Sequence, residues 1–406
     1  MQGRALALVV AGGAGPLSGL GPADDAVLTP FAGKYRFIDL ALATAANSDI
    51  GPLCVAAARP SPALRAHLAR AARAGAPSRR VLPLPPGGMA RDGGRSARLL
   101  RALAVVSPVA RDLHAQAIVA LTADHILQLD LRQMLGAHTA LGADVTLATH
   151  PVPLGDPWRG ALEISTDRRV RDVLRPPIDG NRPGARGFAF AWTGDLVVSA
   201  GALPALLDPA LGEGPHDDDH HLLRRLVRRL CVAAYDVLDN RVPGASEGAY
   251  WHDPTTLEAY YDAQMDLCTP CPALDLYNAA WPLLPAASGL GPAKVVANAA
   301  GRAGQALNSL VSDGVLIRGG TVINTVLGYG VVVESGAEVE DSVLLDGCRI
   351  GRGARVRRAL VGAGAVVGDA GEIGYHTSPA APARVVHSGL TLVPGAEPHL
   401  AAATGV

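Results

Sequence analysis

An apolar run of strand length, residues 5–10, is followed at once by Ala11-Gly12-Gly13-Ala14-Gly15. Glycines so placed let the backbone approach a phosphate closely and aim N–H groups at it, so Gly12, Gly13 and Gly15 are the candidate nucleotide-binding residues. Such chemistry also needs positive charge. Between Gly15 and Gly33 there is no Arg and no Lys, and the charged residues are Asp24 and Asp25. A triphosphate brought to this loop meets carboxylates. Asp124 stands just after a second apolar run, 117–121, at the carboxyl edge where open α/β sheets hold ligands. The plainer role for Asp124, and for Asp253 before Thr255, is to cap the helix that follows. His216-Asp217-Asp218-Asp219-His220-His221 looks like a metal site by composition, but acidic residues opening a helix are favoured by its dipole, so a solvated helix start is expected. Cys268-Thr269-Pro270-Cys271 is a lone pair, weak grounds for zinc or a redox switch.

The elements that must position these residues fall into two halves with different periods. Up to about residue 285, short apolar runs (5–10, 53–57, 117–121, 145–149) alternate with helical stretches (39–46, 62–74, 95–106, 131–141). That alternation is the pattern of an α/β domain with a mostly parallel sheet. After about residue 310, apolar residues recur every six positions: Val333 and Val339, Ile350 and Val356, then Val361, Val367 and Ile373. The intervals hold Gly, Ala and single charges. A hexad of this kind builds a β-helix, with aliphatics stacked inward and small residues at the corners. A Gly/Val-rich antiparallel sheet would show period two. The expected division is an α/β domain over 1–285, a linker over 286–310, and a β-helix with its tail over 311–406.

Bulk composition narrows the partners. Net charge is −1, which points to neither nucleic acid nor an anionic membrane surface. No apolar run approaches the roughly 20 residues of a bilayer span, and Met1-Gln2-Gly3-Arg4 leads straight into a core strand without a separate signal segment. Five cysteines in 406 residues are too few for a disulfide scaffold and fit a reducing cytoplasm.

Ala11-Gly12-Gly13, Gly33-Lys34-Tyr35-Arg36-Phe37-Ile38-Asp39, Ala46-Asn47-Ser48-Asp49-Ile50, Ala123-Asp124-His125-Ile126, Tyr250-Trp251-His252-Asp253 with Leu257-Glu258-Ala259-Tyr260-Tyr261, and Asn308-Ser309-Leu310-Val311-Ser312 occur in that order. In these motifs the chain resembles the bacterial ADP-glucose pyrophosphorylases (glucose-1-phosphate adenylyltransferases) along nearly its whole length. The resemblance implies a Rossmann-like nucleotidyltransferase domain followed by a left-handed parallel β-helix. It implies the reaction ATP plus glucose-1-phosphate to ADP-glucose and pyrophosphate, with Mg²⁺, in glycogen synthesis, and a tetramer whose β-helices help contact neighbouring subunits. It assigns Asp124 and Asp253 to the metal, and Arg175 and Gly194 to the sugar phosphate. Lys34, Arg36 and Asp39 match a family motif but serve loop and helix-start architecture as much as ligand contact.

Departures from the family pattern concentrate on charge. The family loop reads Gly-x-Gly-x-Arg-Leu and continues to a Lys-Pro pair; here Gly15 is followed by Pro16-Leu17, Ala26-Val27 stands where Lys-Pro would fall, and Asp24 replaces another arginine. Adenylyl transfer rests mostly on positioning and electrostatic stabilisation. Loss of one preorganised donor costs about 10²–10³ in rate, and two such losses on the order of 10⁴–10⁶, a crude product because such effects seldom add. Arg59, Arg91, Arg95 and Arg98 lie near in sequence to segments that line the family's nucleotide pocket. The Gly-Thr-Ala-Asp motif is replaced by Gly93-Gly94-Arg95-Ser96-Ala97-Arg98, where solvated arginines on a helix face are the expectation. The family's Glu-Lys-Pro appears as Leu174-Arg175-Pro176, and Arg175 can still grip a phosphate with a different reach. Trp192, in Ala191-Trp192-Thr193-Gly194, is either a stacking platform for a sugar or a filler of the pocket or core.

Two functions from different classes follow: a glucose-1-phosphate adenylyltransferase with a rearranged phosphate clamp, or a non-catalytic regulatory or scaffold subunit beside an active paralogue. Acyl transfer on the β-helix is weaker, since those enzymes use a histidine base within the coils and none lies between Leu310 and Ile373.

Overall fold

A computed structural model of the chain describes residues 4–12, 26–57, 61–73, 79–83, 94–153, 161–174, 188–208, 219–375, 384–385 and 388–396. They divide into two compact units: one takes the described residues of 1–13, 38–253 and 276–284, the other those of 14–37, 254–275 and 285–406.

In the first unit the strand Ala5–Ala11 is buried at every position and pairs in parallel with Leu53–Ala57 on one side and Ala117–Thr122 on the other. Arg79–Pro83 extends the parallel set beyond Leu53–Ala57. Continuous apolar runs fit strands covered on both faces. The long strand Phe188–Ser199 runs antiparallel beside Ala117–Thr122 and also pairs with Val145–Pro153 and Ala161–Ile164. Val145–Pro153 in turn pairs in parallel with Val232–Asp236. Helices fall where their apolar spacing places them: Phe37–Asn47, Pro62–Arg73, Arg95–Asp112 and Leu131–Ala140.

One of these helices is longer than its sequence pattern suggests. Expected to stop at Val106, it continues to Asp112 through Pro108. Proline removes one backbone donor, but Leu99, Leu103, Val106 and Ala110 are all buried along one stripe, and that packing outweighs the lost bond.

The second unit is a left-handed parallel β-helix. Lys294–Val296, Leu316–Arg318, Val332–Val333, Arg349–Ile350 and Val366–Val367 stack in parallel on one face. Thr321–Leu327 and Glu338–Leu344 stack in parallel across the other two, turning at Asn324 and Asp341. Every aliphatic of the hexad is buried. The coils are shorter than three hexads: 16 residues from Gln305 to Thr321, then 17 from Thr321 to Glu338 and from Glu338 to Arg355. Steps such as Val339 to Leu344 and Val356 to Val361 span five residues, because one corner turns more tightly. Asn308, Asn324, Asp341 and Arg358 form that corner, each with φ between 44° and 46°. Asn and Asp tolerate this left-handed conformation. Asn308 and Ser309 of the sequence motif thus shape and brace the corner. Ser309 Oγ accepts from Thr325 N at 3.1 Å, as Ser342 Oγ does from Ala359 N further along the helix.

The boundary differs from the expected one. The ladder starts at Lys294, inside the stretch 286–310 read as a linker, because strands of three residues suffice to extend it. Residues 26–37 and 254–275 also belong with the β-helix. Tyr261 Oη donates to Asp341 O at 2.6 Å, Gln264 Oε1 accepts from Ala32 N at 2.9 Å, Tyr329 Oη donates to Lys34 O at 2.9 Å, and Arg36 pairs with Asp346. These bonds join residues up to 310 positions apart, which local pattern cannot show. Among the described residues, no helix is long and apolar enough to cross a membrane.

Candidate active site

Asp124 and Asp253 come together through a small two-stranded sheet. Tyr250–His252 pairs antiparallel with Ile126–Gln128, His252 opposite Ile126, so Asp253, one residue further, arrives beside Asp124 and His125. Asp124 stands two residues beyond the carboxyl end of Ala117–Thr122. The Asp124 and Asp253 side chains are 12% and 4% exposed. Two buried carboxylates side by side repel and need a cation.

The cation is Arg95. Its Nε donates to Asp124 Oδ2 at 3.2 Å, its Nη2 to Asp253 Oδ2 at 3.0 Å, and its Nη1 to the carbonyl of Thr193 at 3.3 Å. Arg98, one turn along the same helix, adds a bond from Nη2 to Asp124 Oδ2 at 3.4 Å. The two arginine side chains are 15% and 17% exposed. The expected solvated helix face is therefore corrected: these arginines turn inward because two fixed negative charges await them there. Burial works against the charge on Arg95, but Asp124 and then Asp253 outweigh it and raise its proton affinity. For Arg98 burial dominates and lowers it. Asp124 is held well below the usual carboxylate range: burial opposes this and is overcome by Arg95, His125 and Arg98. Asp253, with burial as its largest influence, is raised.

The network extends inward. A register shift between Trp192 and Leu196 turns Thr193, Gly194 and Asp195 against the end of Ala117–Thr122. Asp195 accepts from Thr122 N at 2.9 Å and lies 3.0 Å from His125 Nε2, both side chains fully buried. His125 is thereby pushed up to about 10: burial lowers it, and Asp195, then Asp124, prevail. Trp251 packs against both His125 and His150. Of the residues assigned to ligands, Gly12 (φ 144°) has Arg98 Cδ 3.1 Å from where a Cβ would stand, and Gly194 (φ 106°) has Arg95 Cδ at 2.8 Å and Thr122 Oγ1 at 2.7 Å. Both glycines thus make room for arginine side chains. Trp192 is 3% exposed in the main core and donates from Nε1 to Asp195 O at 2.9 Å. Of the roles open to it, it fills the core.

Gly13, Gly15, Asp24, Asp25, Arg59, Arg91 and Arg175 lie outside the described residues. Asp219 opens the helix Asp219–Arg229 as expected, yet it is not simply solvated: it accepts from Ser96 N at 3.1 Å and from Ser96 Oγ, at the start of the helix bearing Arg95. That helix has no side-chain cap on Gly94 and no acid of its own in the first turn. Among the described residues no group of three or more His, Cys, Asp or Glu is arranged to hold a metal. Cys268 is buried, Cys271 exposed, and both are free thiols. Asp39 pairs with His67 Nε2 at 2.7 Å in the core. The Arg95 and Asp195 roles were missed from sequence. Only an arginine two residues after Gly93, in the slot of a Gly-Thr-Ala-Asp motif, signalled the first.

The fold of the first unit, with acidic residues at the strand ends and a hexapeptide β-helix following in the chain, defines a nucleotidyltransferase. The chain matches the family described as "Nucleotidyl transferase" over residues 6–269 and that described as "GlmU-like, C-terminal hexapeptide" over 291–393. It is 37% identical over 383 residues to the glucose-1-phosphate adenylyltransferase of Frankia casuarinae, covering 90% of this chain and 92% of that protein. The Corynebacterium jeikeium protein of the same name is 35% identical (92% of each), and that of Deinococcus radiodurans 32% (93% and 94%). The chain belongs to the glucose-1-phosphate adenylyltransferase family.

The family's Mg²⁺ does not fit the carboxylates as they stand. It takes oxygen ligands at about 2.0–2.1 Å in near-octahedral geometry, whereas Oδ2 of Asp124 and Oδ2 of Asp253 are both engaged by one guanidinium. A divalent ion bridging the same oxygens would compete with that guanidinium for the space between them.

Proposed function

We propose that this chain is a glucose-1-phosphate adenylyltransferase-family protein of α-glucan synthesis whose turnover is impaired, acting in the cytoplasm as a regulatory or scaffold subunit of an oligomer with an active paralogue. ATP, ADP-glucose and a sugar phosphate are its candidate ligands. The observation that carries this reading is the charge of the glycine-rich loop: from Gly15 to Gly33 there is no basic residue and two aspartates. A polyphosphate leaving group that develops charge there meets no cationic side chain belonging to the loop itself. Pyrophosphorolysis of ADP-glucose by the purified protein with Mg²⁺ tests it. The expected rate lies at least about 10⁴-fold below that of an active family enzyme, and turnover within tenfold of such an enzyme would reject it. Restoring an Arg after Pro16 and a Lys at Ala26 tests the remainder of the pocket: a gain in activity would show that it had survived.

A second reading, an active adenylyltransferase with a rearranged clamp, has one observation in its favour. Arg95 and Arg98 bring two guanidinium groups to the strand edge, Arg98 directly against Gly12. Against it, all three Arg95 nitrogens already donate within the protein.

A further inference from the structure

We infer that Arg95 is a built-in counter-ion standing where two acidic side chains would otherwise recruit a divalent cation, so that this site is assembled without metal. The inference rests on the geometry of the pair and not on whether turnover has been lost.

Three features support it. The first is stoichiometry of contacts: one guanidinium reaches both carboxylates through different nitrogens, Nε to Asp124 and Nη2 to Asp253, and spends the third on the Thr193 carbonyl. A planar fork bridging two acids is the geometry arginine is suited to. The second is the cost of putting a cation there. Arg95 is the first residue of Arg95–Asp112, where the helix dipole is unfavourable to positive charge. Burial is unfavourable as well. Without the two aspartates only the Thr193 carbonyl, a neutral acceptor, would be left to the guanidinium among its hydrogen-bond partners. The third is the path cleared for it. Gly194 adopts φ 106° with its absent Cβ 2.8 Å from Arg95 Cδ, so any other residue there would push the arginine out. Helix start, glycine and acidic pair are therefore fitted to one another. Removing the guanidinium leaves Asp253 without its hydrogen-bonded cation beside Asp124, which keeps Arg98 and His125, and a second buried carboxylate so exposed to a first is the electrostatic demand that a divalent ion meets.

The experiment is a Mn²⁺ titration of the full-length protein by electron paramagnetic resonance, metal alone, with thermal melting in Mn²⁺ or EDTA. The baseline is the Asp253→Asn variant, which has one carboxylate fewer. Wild type is expected to bind Mn²⁺ no more tightly than this baseline and to melt at the same temperature in Mn²⁺ and in EDTA. Arg95→Ala is expected to melt lower in EDTA, to bind Mn²⁺ at least about tenfold more tightly than wild type, and to regain stability when Mn²⁺ is added. Arg95→Gln, closer in size and able to donate, serves if the alanine variant does not fold, and Arg95→Lys is expected to stay silent to Mn²⁺ because it keeps the charge. Wild type binding Mn²⁺ about tenfold above the baseline would overturn the inference. So would a folded Arg95→Ala or Arg95→Gln protein that neither binds Mn²⁺ nor is stabilised by it.

Discussion

Trp192 offers a direct measure of how the first unit uses a residue that its sequence context places beside a sugar site. The indole is 3% exposed, belongs to the main core, and donates to the Asp195 carbonyl at 2.9 Å. Burying an aromatic of about 150–250 Å² is worth about 4–6 kcal/mol at about 25 cal/mol per Å². Truncation to alanine keeps the Cβ contacts but leaves a cavity, so Trp192→Ala should cost about 3–5 kcal/mol. At about 2–4 °C per kcal/mol for a unit of this size, the melting temperature should fall by about 6–20 °C. Trp192→Phe keeps most of the volume and loses the N–H, leaving the Asp195 carbonyl short of a donor, for about 1–2 kcal/mol. Scanning calorimetry gives the total, and hydrogen exchange along Phe188–Ser199 reports the local effect, since loosening there releases the amides paired with Val145–Pro153. A loss below about 1 kcal/mol in Trp192→Ala, with weakened ADP-glucose binding and unchanged exchange, would refute the core role and favour a stacking platform.

Two further outcomes follow from the same network. His125, pushed up to about 10, has a folded value above its unfolded one of about 6.5; its stabilising contribution is complete below about 6.5 and is lost as pH rises toward about 10. Asp124 is depressed, so its contribution is present above about 3.9 and is lost only as acid titrates the folded form. Melting temperature should therefore decline from pH 7 to 10 in wild type and more shallowly in His125→Gln; coincident slopes would remove His125 from the explanation. Gly194→Ala should lose about 1–3 kcal/mol from backbone strain at φ 106°, together with the Cβ that would meet Arg95 and Thr122. An unaltered melting temperature would show that Arg95 does not pass there.

Much of the fold is written locally. Residues 5–10, 53–57, 117–121 and 145–149 are apolar because their strands are covered on both faces, and the observed strands begin at those positions and run on by at most a few residues. The hexad from Val333 to Ile373 specifies stacked coils because each inward aliphatic must meet its equivalent in the next turn. The charge deficit of the glycine-rich loop is likewise a property of the sequence alone. The placement of Arg95 is not: it depends on a carboxylate 158 residues away, delivered by the Tyr250–His252 pairing, and on a bulge that turns Gly194 and Asp195. A long cationic side chain on a helix start looks the same in sequence whether it faces water or two acids. The choice is made by long-range electrostatics, since a buried pair of like charges lowers its energy by drawing in whichever cation the tertiary structure puts within reach.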